Sequence, residues 1–496
     1  MQPEPDFDVL IVGAGVSGIG AGCHLERALP GKSYAVLEAR DEIGGTWSLF
    51  RYPGIRSDSD LHTFGYAFKP WRDRQSIADG PSIRKYVCEA AAEYGVDRHI
   101  RFGHRVTSTD WSSADSLWTV QVEVGDSGER TTFTARWLFC ATGYYRYDHG
   151  HTPVFEGRER FRGEIVHPQH WPEDLDCSGK RVVVIGSGAT AVTLVPALAG
   201  TASHVTMLQR SPTYIVAVPA RDAVANFLKR HLSPERAYAL TRRKNVFFQR
   251  FQWVLSKRYP NAMKRLLVWL AAKQLPDGYD VERNFTPHYN PWDQRLCSVP
   301  DGDLFRAIRD GSASVVTDRI ATFTEVGIEL ESGQRLDADV IVTATGLDLL
   351  AFGGATLTLD GEPVDISDSI AYRGMMLSGI PNFTYAIGYT NASWTLKVDL
   401  VCDYLCRVLA HMDRLGYIEC VPINDDPTMG TRPLLDFDAG YVQRSLHLFP
   451  REGEREPWEL SMNYLKDRKA LRDVEIEDGI LSFTRVTARR EPVTLS

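Results

Sequence analysis

The sequence contains no CxxC pair. Its eight cysteines (Cys23, Cys88, Cys140, Cys177, Cys297, Cys402, Cys406 and Cys420) follow no regular framework, which removes support for dithiol redox chemistry and for a zinc site and fits a reducing cytoplasm. Positive charge is also short. With 56 Lys and Arg against 64 Asp and Glu the net charge is -8, the wrong field for a surface that gathers phosphates, so no nucleic-acid partner is expected. Long apolar runs are missing too: the stretch from Val9 to Leu25 is broken by glycines and is no membrane span. The start, Met1-Gln2-Pro3-Glu4-Pro5-Asp6, lacks the basic head and apolar run of a secretory signal. A cytoplasmic protein without a transmembrane segment, a metal, a repeat or a low-complexity tract is expected.

What is present is a duplicated grammar in a chain of 496 residues with 43% hydrophobic content, enough for two or three domains. Asp8 to Val12 is a short apolar run that meets Gly13-Ala14-Gly15-Val16-Ser17-Gly18. Ile19 to Leu29 then reads as a helix and Tyr34 to Glu38 as a second strand, completing a βαβ unit. The same order returns at Arg181 to Ile185, Gly186-Ser187-Gly188-Ala189-Thr190-Ala191, a helix through Leu198, and the strand Val205 to Gln209. The fold class expected is α/β, with two Rossmann-like dinucleotide-binding domains.

A lone GxGxxG is weak, but here it follows a strand, opens a helix and is followed 20 residues after Gly18 by Glu38. Gly13 permits the tight turn, Gly15 lets a pyrophosphate approach the backbone, and Gly18 allows close packing. Ser17 lies at the helix start, whose N-terminus stabilises phosphate charge. Glu38 is placed to accept hydrogen bonds from an adenosine ribose and repels a 2′-phosphate, so this cradle is expected to prefer FAD or NAD over NADP. A ligand-free glycine turn is the alternative. The second cradle has no acid at that point; its strand ends in Arg210-Ser211, a cation and a hydroxyl suited to a 2′-phosphate, so NADPH is expected there. The alternative is that Arg210 is an ordinary surface charge.

Two strand-plus-turn signals, Trp137 to Gly143 and Val340 to Gly346, sit where the chain could cross between domains and read as hinges. Between them, residues 217–292 are poor in glycine and carry thirteen Lys or Arg against two Asp or Glu up to Lys273. This reads as a helical insertion that caps the cleft. Its basic face is either a solvated helix surface or, given Val246-Phe247-Phe248 and Leu266-Leu267-Val268-Trp269-Leu270, a site of peripheral contact with anionic lipid. The expected organisation is a first domain in residues 1–145 and 348–496, a second in 146–216 and 293–347, and the insertion at 217–292.

Two longer patterns carry a resemblance. Phe161-Arg162-Gly163-Glu164-Ile165-Val166-His167-Pro168-Gln169-His170-Trp171-Pro172 fits FxGxxxHxxxWP, and Gly44-Gly45-Thr46-Trp47-Ser48-Leu49-Phe50-Arg51-Tyr52-Pro53-Gly54-Ile55-Arg56-Ser57-Asp58 fits GGxWxxxxYPGxxxD. With the two cradles in order, the chain resembles the Baeyer–Villiger branch of the class B flavoprotein monooxygenases over nearly its whole length. HPQHWPEDLD, IGSGATAVTLVPALA, TMLQRSPTYIV, PHYNPWDQRLC and GYTNASWTLK are similar to its mycobacterial thioamide-activating members.

The resemblance implies FAD in the first cradle and NADPH in the second. It also implies reaction of reduced flavin with O2 to a C4a-peroxide that needs a fixed cation and exclusion of water. It puts Arg295 at the family's active-site arginine and Asp58 as its carboxylate partner; the alternative for Arg295 is a salt bridge at the surface or between domains. Thr46, Trp47, Ser48 and Leu49 are implied to line the flavin, Arg56 and Ser57 to lie near the nicotinamide nucleotide, and Val106 to meet the adenine end of FAD. His167 is implied to link domains, not to act as acid or base, and Trp394 either lines the substrate pocket or packs in the core. Gln294 departs from the family, many of whose members have Lys there, so the NADPH preference is expected to be less strict. The implied substrates are ketones, converted to esters or lactones, and sulfides or thioamides, oxygenated at sulfur. Rival readings are a monooxygenase restricted to heteroatoms, a disulfide reductase, disfavoured by the missing CxxC, and a membrane-attached nucleotide-binding protein without turnover.

Overall fold

The computed structural model describes residues 3–294, 296–435 and 439–485. Phe7–Val12 lies parallel to Tyr34–Leu37 on one side and to Glu129–Cys140 on the other. The helix Val16–Ala28 joins the first pair and begins three residues before Ile19, because Gly15, in extended conformation, is its N-cap. An antiparallel meander of His104–Ser112, Leu117–Val124 and Glu129–Cys140 widens the sheet. The chain returns to this sheet late: Thr356–Leu359 pairs parallel with His104–Ser112, and Phe383–Tyr385 with Glu129–Cys140. Side chains alternate across the central strand. Val9 and Ile11 enter a core shared with the helices Gly80–Glu93 and Trp394–Leu415, while Leu10 faces the core under the meander.

A second sheet is wholly parallel, in the order Ala313–Thr317, His204–Gln209, Arg181–Ile185, Val340–Thr343, Glu164–Val166. Its central strands are near-continuous hydrophobic runs because both faces are covered. Val182 and Val184 pack in the core with the helices Ala189–Leu198 and Asp303–Arg309, whereas Val183 and Ile185 pack with an antiparallel sheet formed by Ile320–Thr324, Gly327–Leu330 and Arg335–Asp337.

The segments read as hinges each finish a strand, Glu129–Cys140 in one sheet and Val340–Thr343 in the other. The chain following each then forms one strand of an antiparallel ribbon, Tyr145–Gly150 against Leu347–Leu349. The two crossings therefore brace each other.

Residues 217–292 contain the helices Ala223–His231, Pro234–Arg258, Pro260–Ala272 and Val281–Phe285. The 25-residue helix starts on Ser233, whose side chain accepts from the Arg236 N–H, with Pro234 in the first turn. Its inner face is polar where it meets the first domain. Asn245 and Gln249 donate to Asp60 at 2.8 and 3.0 Å, and buried Arg242 pairs with buried Asp399 at 3.0 Å. No helix among the described residues is long and apolar enough to cross a membrane.

Candidate functional site

The first cradle is built by its glycines. Gly13 adopts φ +104°, and a Cβ there would lie 2.8 Å from the Ala141 carbonyl oxygen; one on Gly18 would lie 1.8 Å from the Gly13 oxygen. The turn therefore closes against the helix and the neighbouring strand as only glycine allows. Glu38 is buried at the end of Tyr34–Leu37. Its carboxylate accepts from the Ala14 N–H at 2.7 Å and the Arg40 N–H at 3.0 Å. Burial pushes its carboxyl pKa above the usual range, opposed by those two N–H bonds.

A cavity of about 830 Å3 opens from this cradle, and its wall includes Gly13, Gly15, Ser17, Glu38, Thr46, Trp47, Leu49, Arg56, Ser57, Asp58 and Val106. Gly18 stands behind the wall as packing. Ser48 is buried and does not line the cavity: its hydroxyl accepts from Arg40 at 2.6 Å and donates to the Gly45 carbonyl at 3.1 Å. Trp394 both lines the space and packs in the core, and its indole N–H donates to the Ser17 hydroxyl at 2.9 Å. That bond ties the helix Trp394–Leu415 to the first cradle.

The second cradle meets the same cavity through the first turns of its helix, at Ala189, Thr190, Val192 and Thr193. Gly186, Ser187, Gly188, Ala191, Arg210 and Ser211 lie outside the wall. Gly188 is exposed, with no atom within 4 Å of the place a Cβ would take. Ser187 bonds the Ser211 carbonyl at 3.2 Å and the Thr213 hydroxyl at 2.9 Å. Arg210 and Ser211 are exposed at the end of their strand, and Arg210 has no ion-pair partner among the described residues. Arg295 lies outside the described residues; Ser298, three residues on, lines the cavity.

The GGxWxxxxYPGxxxD segment is where the two cradles touch. Gly54 has φ +77°, and a Cβ there would sit 2.7 Å from the Ala197 Cβ and 3.1 Å from the Thr193 oxygen, both on the second cradle's helix. Arg56 pairs with Asp303, the first residue of Asp303–Arg309, so its guanidinium bridges the two domains at the edge of the cavity. Tyr52 is buried beside Thr190, and burial pushes its hydroxyl up to about 12. Gly54→Ala is expected to cost about 1–3 kcal/mol through strain and overpacking. It should slow nucleotide-driven reduction more than it changes binding in the first cradle. Chemical denaturation and stopped-flow absorbance check this, and an unaltered reduction rate would detach Gly54 from domain alignment.

His167 serves the crossing ribbon. Its Nδ1 accepts from the Gln169 N–H at 3.2 Å, which leaves the Nε2 proton to donate to the Gly346 carbonyl at 3.2 Å. Burial holds its pKa below the usual value. Gln169 donates to the Arg146 and Tyr147 carbonyls at 2.8 and 3.0 Å, so the FxGxxxHxxxWP segment grips both crossings.

Sequence reasoning missed wall residues on these crossings, Tyr144, Tyr145, Arg146 and Tyr147, and on the C-terminal segments, Phe352, Tyr389 and Tyr441. The aromatic run directly after Ala141-Thr142-Gly143 was the available signal for the first group. Burial pushes the Tyr147 hydroxyl up to about 12. The insertion, expected to cap the cleft, supplies no residue to this wall, because its inner face is committed to Asp60 and Asp399 on the flank of the first domain. The cysteine thiols whose pKa departs from its usual value are all raised by burial, Cys140 to about 11 and Cys23 to about 12, which makes them poor thiolate donors. No group of three or more metal-binding side chains occurs among the described residues.

Two glycine cradles opening on one cavity define an α/β protein of the double dinucleotide-binding class. Residues 73–353 match the flavin-binding monooxygenase-like family, and residues 11–73 an NAD(P)-binding Rossmann-like domain. The chain belongs to the flavin-binding monooxygenase-like family. It is 55% identical to the FAD-containing monooxygenase EthA of Mycobacterium tuberculosis over 97% of this chain and 98% of that protein. It is 48% identical to the probable FAD-binding monooxygenase AlmA of Acinetobacter baylyi over 98% of this chain and 97% of that one. Its fold matches an oxidized steroid monooxygenase bound to NADP, with TM-score 0.75 and 24% identity over 97% of this chain and 99% of that one. It also matches a cyclohexanone monooxygenase from Rhodococcus sp. Phi1 bound to NADP+, with TM-score 0.68 and 22% identity over 84% and 87%.

Proposed function

We propose that this protein is an NADPH- and O2-dependent flavoprotein monooxygenase of the Baeyer–Villiger type, inserting one oxygen atom into ketones to give esters or lactones and also oxygenating sulfides or thioamides at sulfur. The observation that carries this reading is the single cavity whose wall contains both Gly13 and Gly15 of one cradle and Ala189 and Thr190 of the other. Two nucleotides seated in these cradles would share that space. EthA and AlmA are described as FAD-containing and probable FAD-binding monooxygenases, and the two fingerprints resemble those of the Baeyer–Villiger branch, which supports this reading.

The residues fit the two groups. The turn through Gly13 and Gly15 and the start of the helix Val16–Ala28 that follows it would hold the FAD pyrophosphate, and Glu38, on the cavity wall, would take the adenosine ribose. Trp394 fixes Ser17. Thr46, Trp47 and Leu49 line the flavin, Ser48 supports that turn through Arg40, and Val106 borders the adenine end. The open backbone at Gly188 leaves room for the NADPH pyrophosphate along Gly186 to Ala191, and exposed Arg210 and Ser211 take the 2′-phosphate. Bound flavin supplies the passage of electrons from NADPH to O2. The chain itself orients both nucleotides, shields the space with Tyr144, Tyr145 and Tyr147, and supplies charge. Arg295 is assigned the positive charge that faces oxygen transfer, with Asp58 aiming it; Arg56 and Ser57 border the nicotinamide. In this reading residues 1–145 and 348–496 form the FAD domain, and 146–216 with 293–347 the NADPH domain.

Arg210→Ala is expected to raise the KM for NADPH about ten- to hundredfold, the loss of one charge-assisted contact, with kcat little changed. An unchanged NADPH to NADH preference would remove Arg210 from its role. The decisive experiment supplies 18O2 and NADPH with phenylacetone beside a thioether and reads the products by mass spectrometry. Label in the ester establishes Baeyer–Villiger insertion. Label only in the sulfoxide assigns the chain to heteroatom oxygenation, and label in neither product overturns the reading.

A further inference from the structure

Apolar exposure is concentrated in one part of this molecule. Of the 17 large hydrophobic side chains that are exposed among the described residues, twelve lie between Val224 and Leu270, on the helices Ala223–His231, Pro234–Arg258 and Pro260–Ala272 and their connections. Isolated exposed apolar residues are ordinary; a cluster on one subdomain marks an interaction surface. On the long helix the exposed residues Leu240, Phe247, Phe251 and Val254 recur at helical spacing along one stripe, and the Phe247 and Phe251 rings stack at 6.5 Å. The opposite stripe, with Tyr238, Thr241 and Arg242, is buried against the first domain. Folding therefore accounts for the inner stripe and leaves the outer one without a partner. Leu266, Trp269 and Leu270 repeat the pattern on the next helix.

Charge on these helices selects the occupant. Thirteen Lys or Arg face two Asp or Glu between residues 217 and 273, in a chain whose net charge is -8. Arg230, Arg236, Arg243, Arg258 and Arg265 are all exposed, and none has an ion-pair partner among the described residues. A second copy of this chain joined through the same face would bring these arginines against themselves. A surface that is apolar inside and anionic outside satisfies both stripes and arginines: aromatic rings enter the acyl boundary while guanidinium groups meet phosphates.

We propose that the helical insertion docks this protein on anionic lipid bilayers as a peripheral membrane protein. The proposal goes beyond the oxygen-transfer reading and does not depend on it. The 25-residue helix lies on the surface, held at a set height by Arg242, Asn245 and Gln249 on its protein side, while Phe247, Phe251 and Trp269 enter the lipid.

Flotation of the full-length protein with phosphatidylglycerol-containing vesicles and with pure phosphatidylcholine vesicles tests it. Partition onto the anionic vesicles is expected to be about tenfold stronger and to fall with added salt. Phe247→Ser with Phe251→Ser should lower that partition about tenfold, and Arg243→Glu with Arg265→Glu should erase the preference for anionic lipid; far-UV circular dichroism must show both variants folded. Absence of binding, or equal binding to both vesicle types, overturns the proposal. So does a concentration-dependent dimer that the Phe247→Ser, Phe251→Ser variant abolishes, which would assign the face to self-association.

Discussion

Replacing Arg295 with Ala should abolish ester formation, by about a thousandfold or more, while yellow cofactor binding and NADPH-driven flavin reduction remain. A preorganised cation acting where negative charge develops is commonly worth two to three orders of magnitude (about 100- to 1000-fold) for a single donor, and a full positive charge in a water-poor cavity exceeds a neutral donor. Reduction draws on the cradles and their alignment, so it stays near wild type. Asp58, its proposed partner, and Ser298, three residues further along the chain, both line the cavity. Anaerobic bleaching of the flavin by NADPH and product analysis under O2 separate the two half-reactions. Hydrogen peroxide should replace ester in the variant. Arg295→Lys should restore little, because the ammonium keeps the charge but lacks the planar fork that a carboxylate such as Asp58 re-aims. Ester at the wild-type rate in Arg295→Ala would remove the arginine from oxygen transfer.

Both cradles were legible because their signal is local: a strand, a turn that demands glycine at Gly13 and Gly186, and a helix, all within about 30 residues. The helix start moved farthest, from Ile19 to Val16, because Gly15 itself is the cap; the other ends shifted by one residue at most. The parallel second sheet could be anticipated from its uninterrupted apolar strands. The wall residues Tyr144, Tyr145 and Tyr147 were not found, since they reach the cavity only through the ribbon of Tyr145–Gly150 with Leu347–Leu349, a pairing between segments about two hundred residues apart. Ser48 shows the converse. It stands inside a fingerprint, yet Arg40 takes its hydroxyl, and only the fold reveals that competition. The place of the insertion was hidden for the same reason: Arg242 reads as one more basic residue until Asp399 stands opposite it.

That pair carries the largest expected effect on stability. Arg242 donates to Asp399 at 3.0 Å and to the carbonyls of His62, Thr63 and Gly65 at 3.1, 3.1 and 2.6 Å. Asp399 also accepts from the Ala67 N–H at 2.8 Å and faces His24 at 3.4 Å. Both partners are buried, so neither is rescued by water when the other is removed. Arg242→Met fills much of the volume but leaves a carboxylate and three carbonyls short of a donor, and is expected to cost about 3–5 kcal/mol. Asp399→Leu should cost a comparable amount by leaving the guanidinium without its counter-charge. The double variant should lose about 1–3 kcal/mol less than the sum of the two, the coupling expected of contacting buried charges. It should not recover fully, because the Ala67 N–H and the His62 and Gly65 carbonyls lose these partners, while the Thr63 carbonyl keeps only the Thr395 hydroxyl at 3.3 Å. Urea unfolding read by tryptophan fluorescence provides the cycle, since the pair joins the insertion's long helix to Trp394–Leu415 and each loss should lower the midpoint of the first domain. Additive losses would mean that the two charges act independently, and the insertion would then be held by Asn245 and Gln249 on Asp60 instead.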